Sequence, residues 1–179
     1  MNKKIKIQDL LNETVTEKEK INTSDSEKYS PLTPKSRRDL RTLAFYFIYS
    51  ADRFDYSETT EDIINVFLQE FNIDIEKDSF AIQAATGTIE QRNELDVQIK
   101  PLLKNWKFER LGCCTRLILR LALWELNQKD AVPGIVINEA IELAKAFAEK
   151  DAYKFINGLL DEAFKIIHKE KTSQKKNSK

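Results

Sequence analysis

Three arginines crowd the segment Ser36-Arg37-Arg38-Asp39-Leu40-Arg41. On a helix, Arg37 and Arg41 stand at i, i+4 and Arg38 and Arg41 at i, i+3, so all three take neighbouring positions. A guanidinium grips phosphate through two parallel hydrogen bonds and stacks on the flat face of a base. RNA or another polyanion is one reading of the cluster. The other is a set of ordinary surface arginines balanced by Asp39, since exposed arginine is common. Cations in a first helical turn oppose the dipole, so helix stability alone does not account for them.

Other reactive residue types are sparse or badly placed. No GxGxxG, P-loop, GxSxG or paired CxxC occurs, and the one histidine, His168, lies near the C-terminus. The commonest general base is therefore missing from the centre of the chain. Glu139 and Glu142 form an i, i+3 acid pair that reads as a solvated helix face. Cys113 and Cys114 are adjacent, and neighbouring Cβ vectors on a helix diverge too far for a normal bridge. They read as small buried hydrophobes rather than metal ligands, because a closed zinc site needs more donors than this chain assembles. Neither catalytic residues, a metal site nor a cofactor is expected.

The elements that must position the arginines are helices. Hydrophobic residues make up 41% and charged residues 32% of 179, with only 4 Gly and 4 Pro. That is too few breakers for a turn-rich sandwich or barrel. The net charge of zero is uneven: +1 over residues 1–35, −5 over 36–168 and +4 over 169–179. An acidic body does not attract nucleic acid in bulk, so any RNA site must be a local basic patch. No stretch approaches the ~18 apolar residues of a membrane span, and the N-terminus turns polar before a signal core develops. A cytoplasmic protein is expected.

Residues 1–35 are polar, with a transient helix at Ile5–Leu11 at most, and read as a disordered extension. Residues 36–168 read as the helical domain and 169–179 as a disordered basic tail. Within the domain, Leu40, Ala44, Phe47, Ile48 and Ala51 form an apolar stripe over 34–51. Further helices are expected at 60–71, at 75–91, at 95–103 with Pro101 awkwardly inside, and at 111–128. The last of these is apolar on nearly every side, so it should be central. Pro133-Gly134 argues against continuation, after which helices follow at 136–149 and 152–167. Small residues at 84, 85 and 87 suit close helix approach, as does Gly158. Asn138 and Asn157 should satisfy backbone groups in turns. Arg120, set among leucines, should snorkel or pair with an acid. The fold class is all-α: seven helices in two packed sub-bundles.

Four segments in order then carry a resemblance. RRDLRTLAFYFIY (37–49), LILRLALWEL (117–126), Val132-Pro133 with IVINEAIELAKAF (135–147), and KFINGLLD (154–161) are similar to segments of the bacterial transcription antitermination factor NusB family. The resemblance covers about 36–164. It implies binding of the boxA element of nascent RNA, together with the ribosomal small-subunit protein NusE. The pair would help the RNA polymerase antitermination complex resist termination, notably in ribosomal RNA operons.

By the same resemblance, Arg37, Arg38 and Arg41 match the family's arginine-rich RNA-binding stretch. Lys154 and Phe155 match its second RNA-contacting region, where an aromatic stacks on an unpaired base; core packing is the other reading of Phe155. Tyr49 and Glu109 match positions near the NusE surface, and Glu109 reads equally well as a solvated acid. Family members occur as monomers and as homodimers. The chain departs from the pattern at Asp39, where many relatives add a cation. It departs again at Tyr46, commonly glutamine, and at Cys113-Cys114-Thr115, a stretch usually more acidic. A helical protein-interaction bundle with weak, non-specific RNA binding is the competing function.

Overall fold

Capping decides where the first helix begins. Ser36 Oγ accepts from the Asp39 N–H at 3.1 Å, and Asp39 Oδ2 accepts from the Ser36 N–H at 2.9 Å, closing a capping box. These bonds hold the Asp39 carboxyl below its ordinary range, Ser36 being the largest cause. Asp39 is therefore spent on the helix start. That satisfies two orphan backbone donors and places a negative charge where the dipole favours it.

The structure, a computed structural model, describes residues 33–104 and 106–177, with side chains as far as Lys169. The expected transient helix at Ile5–Leu11 lies outside those residues. Among the described residues there are α-helices α1 (Arg37–Arg53), α2 (Thr60–Glu70), α3 (Phe80–Glu90), α4 (Arg92–Ile99), α5 (Cys113–Asn127), α6 (Pro133–Phe147) and α7 (Ala152–Asn177). Single 3-10 turns at Lys100–Leu102 and Phe108–Arg110 link α4 to α5. No described residue is in a strand. No helix among them is long and apolar enough to cross a membrane.

The fold is all-α, as expected. Helices α1, α2 and α3 form one sub-bundle and α5, α6 and α7 the other; α5 also packs on α1, α3 and α4, joining the two. Its Leu117, Ile118, Leu119 and Leu123 are fully buried. At about 1.5–3 kcal/mol for each such side chain, this helix supplies much of the burial that holds the sub-bundles together. Ala84 and Ala85 let α3 approach closely, and a Cβ on Gly87 would stand 2.0 Å from Trp124 Nε1.

Several boundaries differ from the sequence reading. Residues 75–79 are not helical, so α3 starts at Phe80 rather than Ile75. Pro101 does not sit inside α4; it lies in the 3-10 turn that ends it, because its ring cannot follow an α turn. Pro133 opens α6 at its first position, where a missing N–H costs nothing. Helix α7 continues to Asn177, well past Ile167. Asn138 and Asn157 lie within α6 and α7 rather than in turns. A Cβ on Gly158 would meet open space, so this glycine serves no close approach.

Candidate nucleic-acid interface

The first turns of α1 bring the three arginines to one end of the bundle but give each a different environment. Arg37 lies flat, its guanidinium carbon 3.3 Å from the centre of the Phe80 ring. Packing there lowers its pKa by desolvation, yet the group stays cationic and solvent-exposed. Arg38 reaches across to α6, where Nε donates to Glu139 Oε2 at 3.0 Å and Nη2 donates to Oε1 at 2.7 Å. Its side chain remains 58% exposed against 11% for Glu139. The clasp holds the Glu139 carboxyl below its ordinary range. Glu139 is thus not part of a solvated acid face with Glu142; it is a buried anchor for an exposed guanidinium.

Arg41, read from the sequence as a neighbour of Arg37 and Arg38, is turned inward. Its side chain is only 8% exposed, and Nε and Nη2 donate to Glu125 Oε2 and Oε1 at 2.9 and 2.6 Å. Glu125 belongs to α5, so the pair ties the RNA-candidate end of α1 to the central helix. Arg38 uses the same two nitrogens on Glu139; what sets Arg41 apart is its burial, 8% against 58% exposed. The physical reason is position: Arg41 precedes Ala44, Phe45 and Ile48 by three, four and seven residues, which places it in the inward stripe. Arg37 and Arg41 border a cleft of about 440 Å³ with Phe80, Gln83, Val132 and Ile135.

The second expected set lies at the start of α7. Lys154 is 65% exposed and its Nζ meets Asp151 Oδ1 at 2.8 Å. Asp151 itself sits at φ 66°, a left-handed conformation that Asp tolerates better than most residues. It turns the chain from α6 into α7. Phe155 is half-buried, neither core nor free, and borders a separate cavity of about 400 Å³. Trp106, 59% exposed, stands across from it with ring centroids 6.2 Å apart. Sequence reasoning missed Trp106. The available signal was a tryptophan in the polar segment Lys104-Asn105-Trp106-Lys107, outside any apolar periodicity.

Tyr49 is half-buried on α1, its ring 6.2 Å from that of Phe45, and Glu109 is exposed on the second 3-10 turn. Tyr46 packs among aromatics, 5.5 Å from Phe147 and 6.1 Å from Phe67, and burial raises its pKa. Deeper in, Arg120 pairs with Asp96 through Nε and Nη2 at 2.7 Å each and donates to Tyr56 Oη at 3.0 Å. It meets an acid, as expected. Cys113 and Cys114 are free and half-buried, and Cys113 Sγ donates to Asp52 Oδ2 at 3.2 Å.

Comparison with known proteins agrees with this architecture. Residues 38–165 match the model of the NusB family. A transcription antitermination protein NusB of Macrococcus caseolyticus is 38% identical over 130 residues, covering 73% of this chain and 97% of the relative. The solved structure of NusB from T. maritima superposes with a TM-score of 0.64 at 33% identity, over 73% of this chain and 91% of that one. A solved complex of the antitermination factors NusB and NusE with dsRNA is also similar, with a TM-score of 0.61 at 28% identity, over 73% and 96% of the two chains.

Proposed function

The chain belongs to the NusB family, and from that premise we propose that it is a non-enzymatic antitermination factor that binds boxA RNA together with NusE. In this role it joins the RNA polymerase antitermination complex and promotes processive transcription of ribosomal RNA operons. The observation that carries the reading is the exposed pair Arg37 and Arg38. One guanidinium is laid flat on Phe80 and the other is clasped from behind by Glu139. Both are held in place before any ligand arrives, which reduces the ordering cost of binding. Arg38 can still meet phosphate through its free edge, because only Nε and Nη2 face the carboxylate.

Arg41 has a different part in this reading. Locked to Glu125, it orients the turn that presents Arg37 and Arg38. Lys154 and Phe155 supply a second contact, cation to phosphate and ring to base. Tyr49 and Glu109 belong to the NusE-facing surface. A second copy of the chain covering the arginine end would compete with RNA.

The test is fluorescence anisotropy of a labelled single-stranded boxA RNA and a scrambled RNA, each with and without NusE. Tighter boxA binding, strengthened by NusE and lost in Arg37→Ala/Arg38→Ala, is the expected result. Equal weak binding to both RNAs, unaffected by the double substitution, would leave a protein-interaction bundle. The acid partners of Arg38 and Arg41 are the feature that would favour that outcome.

A further inference from the structure

The aromatic pair formed by Phe155 of α7 and Trp106 of the α4–α5 link goes beyond the contacts assigned so far. Trp106 keeps 59% of its surface in water, whereas the other tryptophan, Trp124, is 8% exposed. An indole held largely in the open beside a cavity gives up the burial that usually makes tryptophan a core residue. Phe155 forms the facing wall, its centroid 6.2 Å away and its plane inclined by 54°. Two rings that sandwich a base stand about 7 Å apart, twice the ~3.5 Å contact distance between stacked carbons. To take a base between them the exposed indole must turn by about the 54° that now separates the two planes and move outward until the rings stand at that spacing.

A cavity of about 400 Å³ is lined by both rings and also by Arg110 and Lys150. That volume lies in the range of ~300–1,000 Å³ typical of small-ligand sites. Two carboxylates border it as well, and both are engaged: Glu149 accepts from Thr115 Oγ1 at 2.6 Å, and Asp151 meets Lys154 Nζ at 2.8 Å. Arg110 and Lys150 have no ion pair among the described residues. Two aromatic rings and these two cations lining one cavity suit a stacked base with flanking phosphates, the cations lying nearer the phosphates than Glu149 does in such a pose. A docked protein core would instead be depleted of charge.

We propose that Trp106 and Phe155 are the two walls of a slot that takes one unpaired base of single-stranded RNA, with Arg110 and Lys150 holding the adjoining phosphates. The slot rests on the RNA-binding reading above and adds Trp106, Arg110 and Lys150 to it. Stacking between two rings tolerates any base, so the slot contributes affinity and register more than sequence choice.

The experiment titrates the full-length chain and its Trp106→Ala variant with a short single-stranded RNA. Intrinsic tryptophan emission and the anisotropy of the labelled RNA are followed in parallel, with Arg37→Ala/Arg38→Ala as a second variant. The expected result is quenching in the unaltered chain at the same midpoint as the anisotropy. That quenching should be absent in Trp106→Ala, whose RNA binding weakens about tenfold, equivalent to about 1.4 kcal/mol. Trp106→Phe should retain most of the affinity. Circular dichroism should be unchanged in both, since the indole is exposed.

No quenching in the unaltered chain and unchanged affinity in Trp106→Ala, with binding still lost in the arginine variant, would overturn the slot and leave the RNA reading intact. No RNA binding by the unaltered chain would overturn both. Quenching by NusE alone, and none by RNA, would make the pair a protein seat and overturn the slot.

Discussion

Glu125→Ala tests whether Arg41 is a structural or a ligand-facing cation. The substitution removes both acceptors of a guanidinium whose side chain is 8% exposed, Oε2 at 2.9 Å and Oε1 at 2.6 Å. The pair is 8% and 9% exposed and meets water only along the cleft it borders, so the remaining charge is largely uncompensated. Breaking one side of a buried pair costs about 3–5 kcal/mol. At about 2–4 °C per kcal/mol for a domain of this size, the thermal midpoint should fall by roughly 10 °C. Circular dichroism melting at neutral pH reads this directly. Arg41→Met/Glu125→Leu removes both charges and fills similar volume, so it should recover most of the loss.

The same double variant separates stability from RNA contact. A phosphate contact adds about 0.7–1 to the slope of log affinity against log salt. Arg38→Ala should lower the slope by that amount with little change in melting. Arg41→Met/Glu125→Leu should leave the slope unchanged. A mild Glu125→Ala phenotype, within about 1 kcal/mol as for surface pairs, would show that Arg41 swings into solvent. A slope lowered as much by the double variant as by Arg38→Ala would show that the pair opens on RNA. Either result refutes the reasoning.

Other substitutions probe the frame around the site. Gly87→Ala forces a Cβ to within 2.0 Å of Trp124 Nε1, a ring packed at 8% exposure, and should cost about 1–3 kcal/mol by urea unfolding. Gly158→Ala meets open space in mid-helix and should stabilise by about 0.5–1 kcal/mol in the same assay. Burial, aided by the bond to Asp52, pushes the Cys113 thiol up to about 12. Its iodoacetamide labelling at pH 8, followed by mass spectrometry, should therefore be much slower in the folded than in the urea-unfolded chain, and faster in Asp52→Asn. Glu139 has a depressed pKa because it accepts from Arg38, so its contribution is present above the ordinary glutamate range and lost as pH falls through the folded value. The melting difference between the unaltered chain and Glu139→Gln should shrink on acidification through that window.

The helices were legible because their signals are local. The stripe Ala44, Phe47, Ile48 and Ala51 repeats at helical spacing, and the apolar run at 117–126 can be satisfied only by burial. Pro101 and Pro133 show the limit of local reasoning: a proline is compatible with ending one helix or opening the next, and packing on both sides chooses. Arg120 was recoverable because a cation flanked by leucines demands an acid. The identity of that acid was not, since Asp96 is 24 residues away.

Arg41 is the instructive case, read with Arg37 and Arg38 in the sequence and found paired with Glu125 in the structure. Its spacing from Arg37 and Arg38 suggested one basic face, but its spacing from Ala44, Phe45 and Ile48 placed it in the core stripe with equal force. Glu125, between Trp124 and Leu126 in the most apolar helix, carried the complementary hint of a buried acid lacking a partner. Joining the two requires a contact across 84 residues, which no periodicity encodes. Trp106 escaped for the opposite reason: it lies in an irregular link, where neither helical nor strand spacing assigns a face. The residues hardest to read are thus those set by tertiary contact, one drawn inward by a distant acid and one left outside beside Phe155. At the arginine end two cations are exposed and one is turned inward onto Glu125, and charge counting along the sequence cannot tell these placements apart.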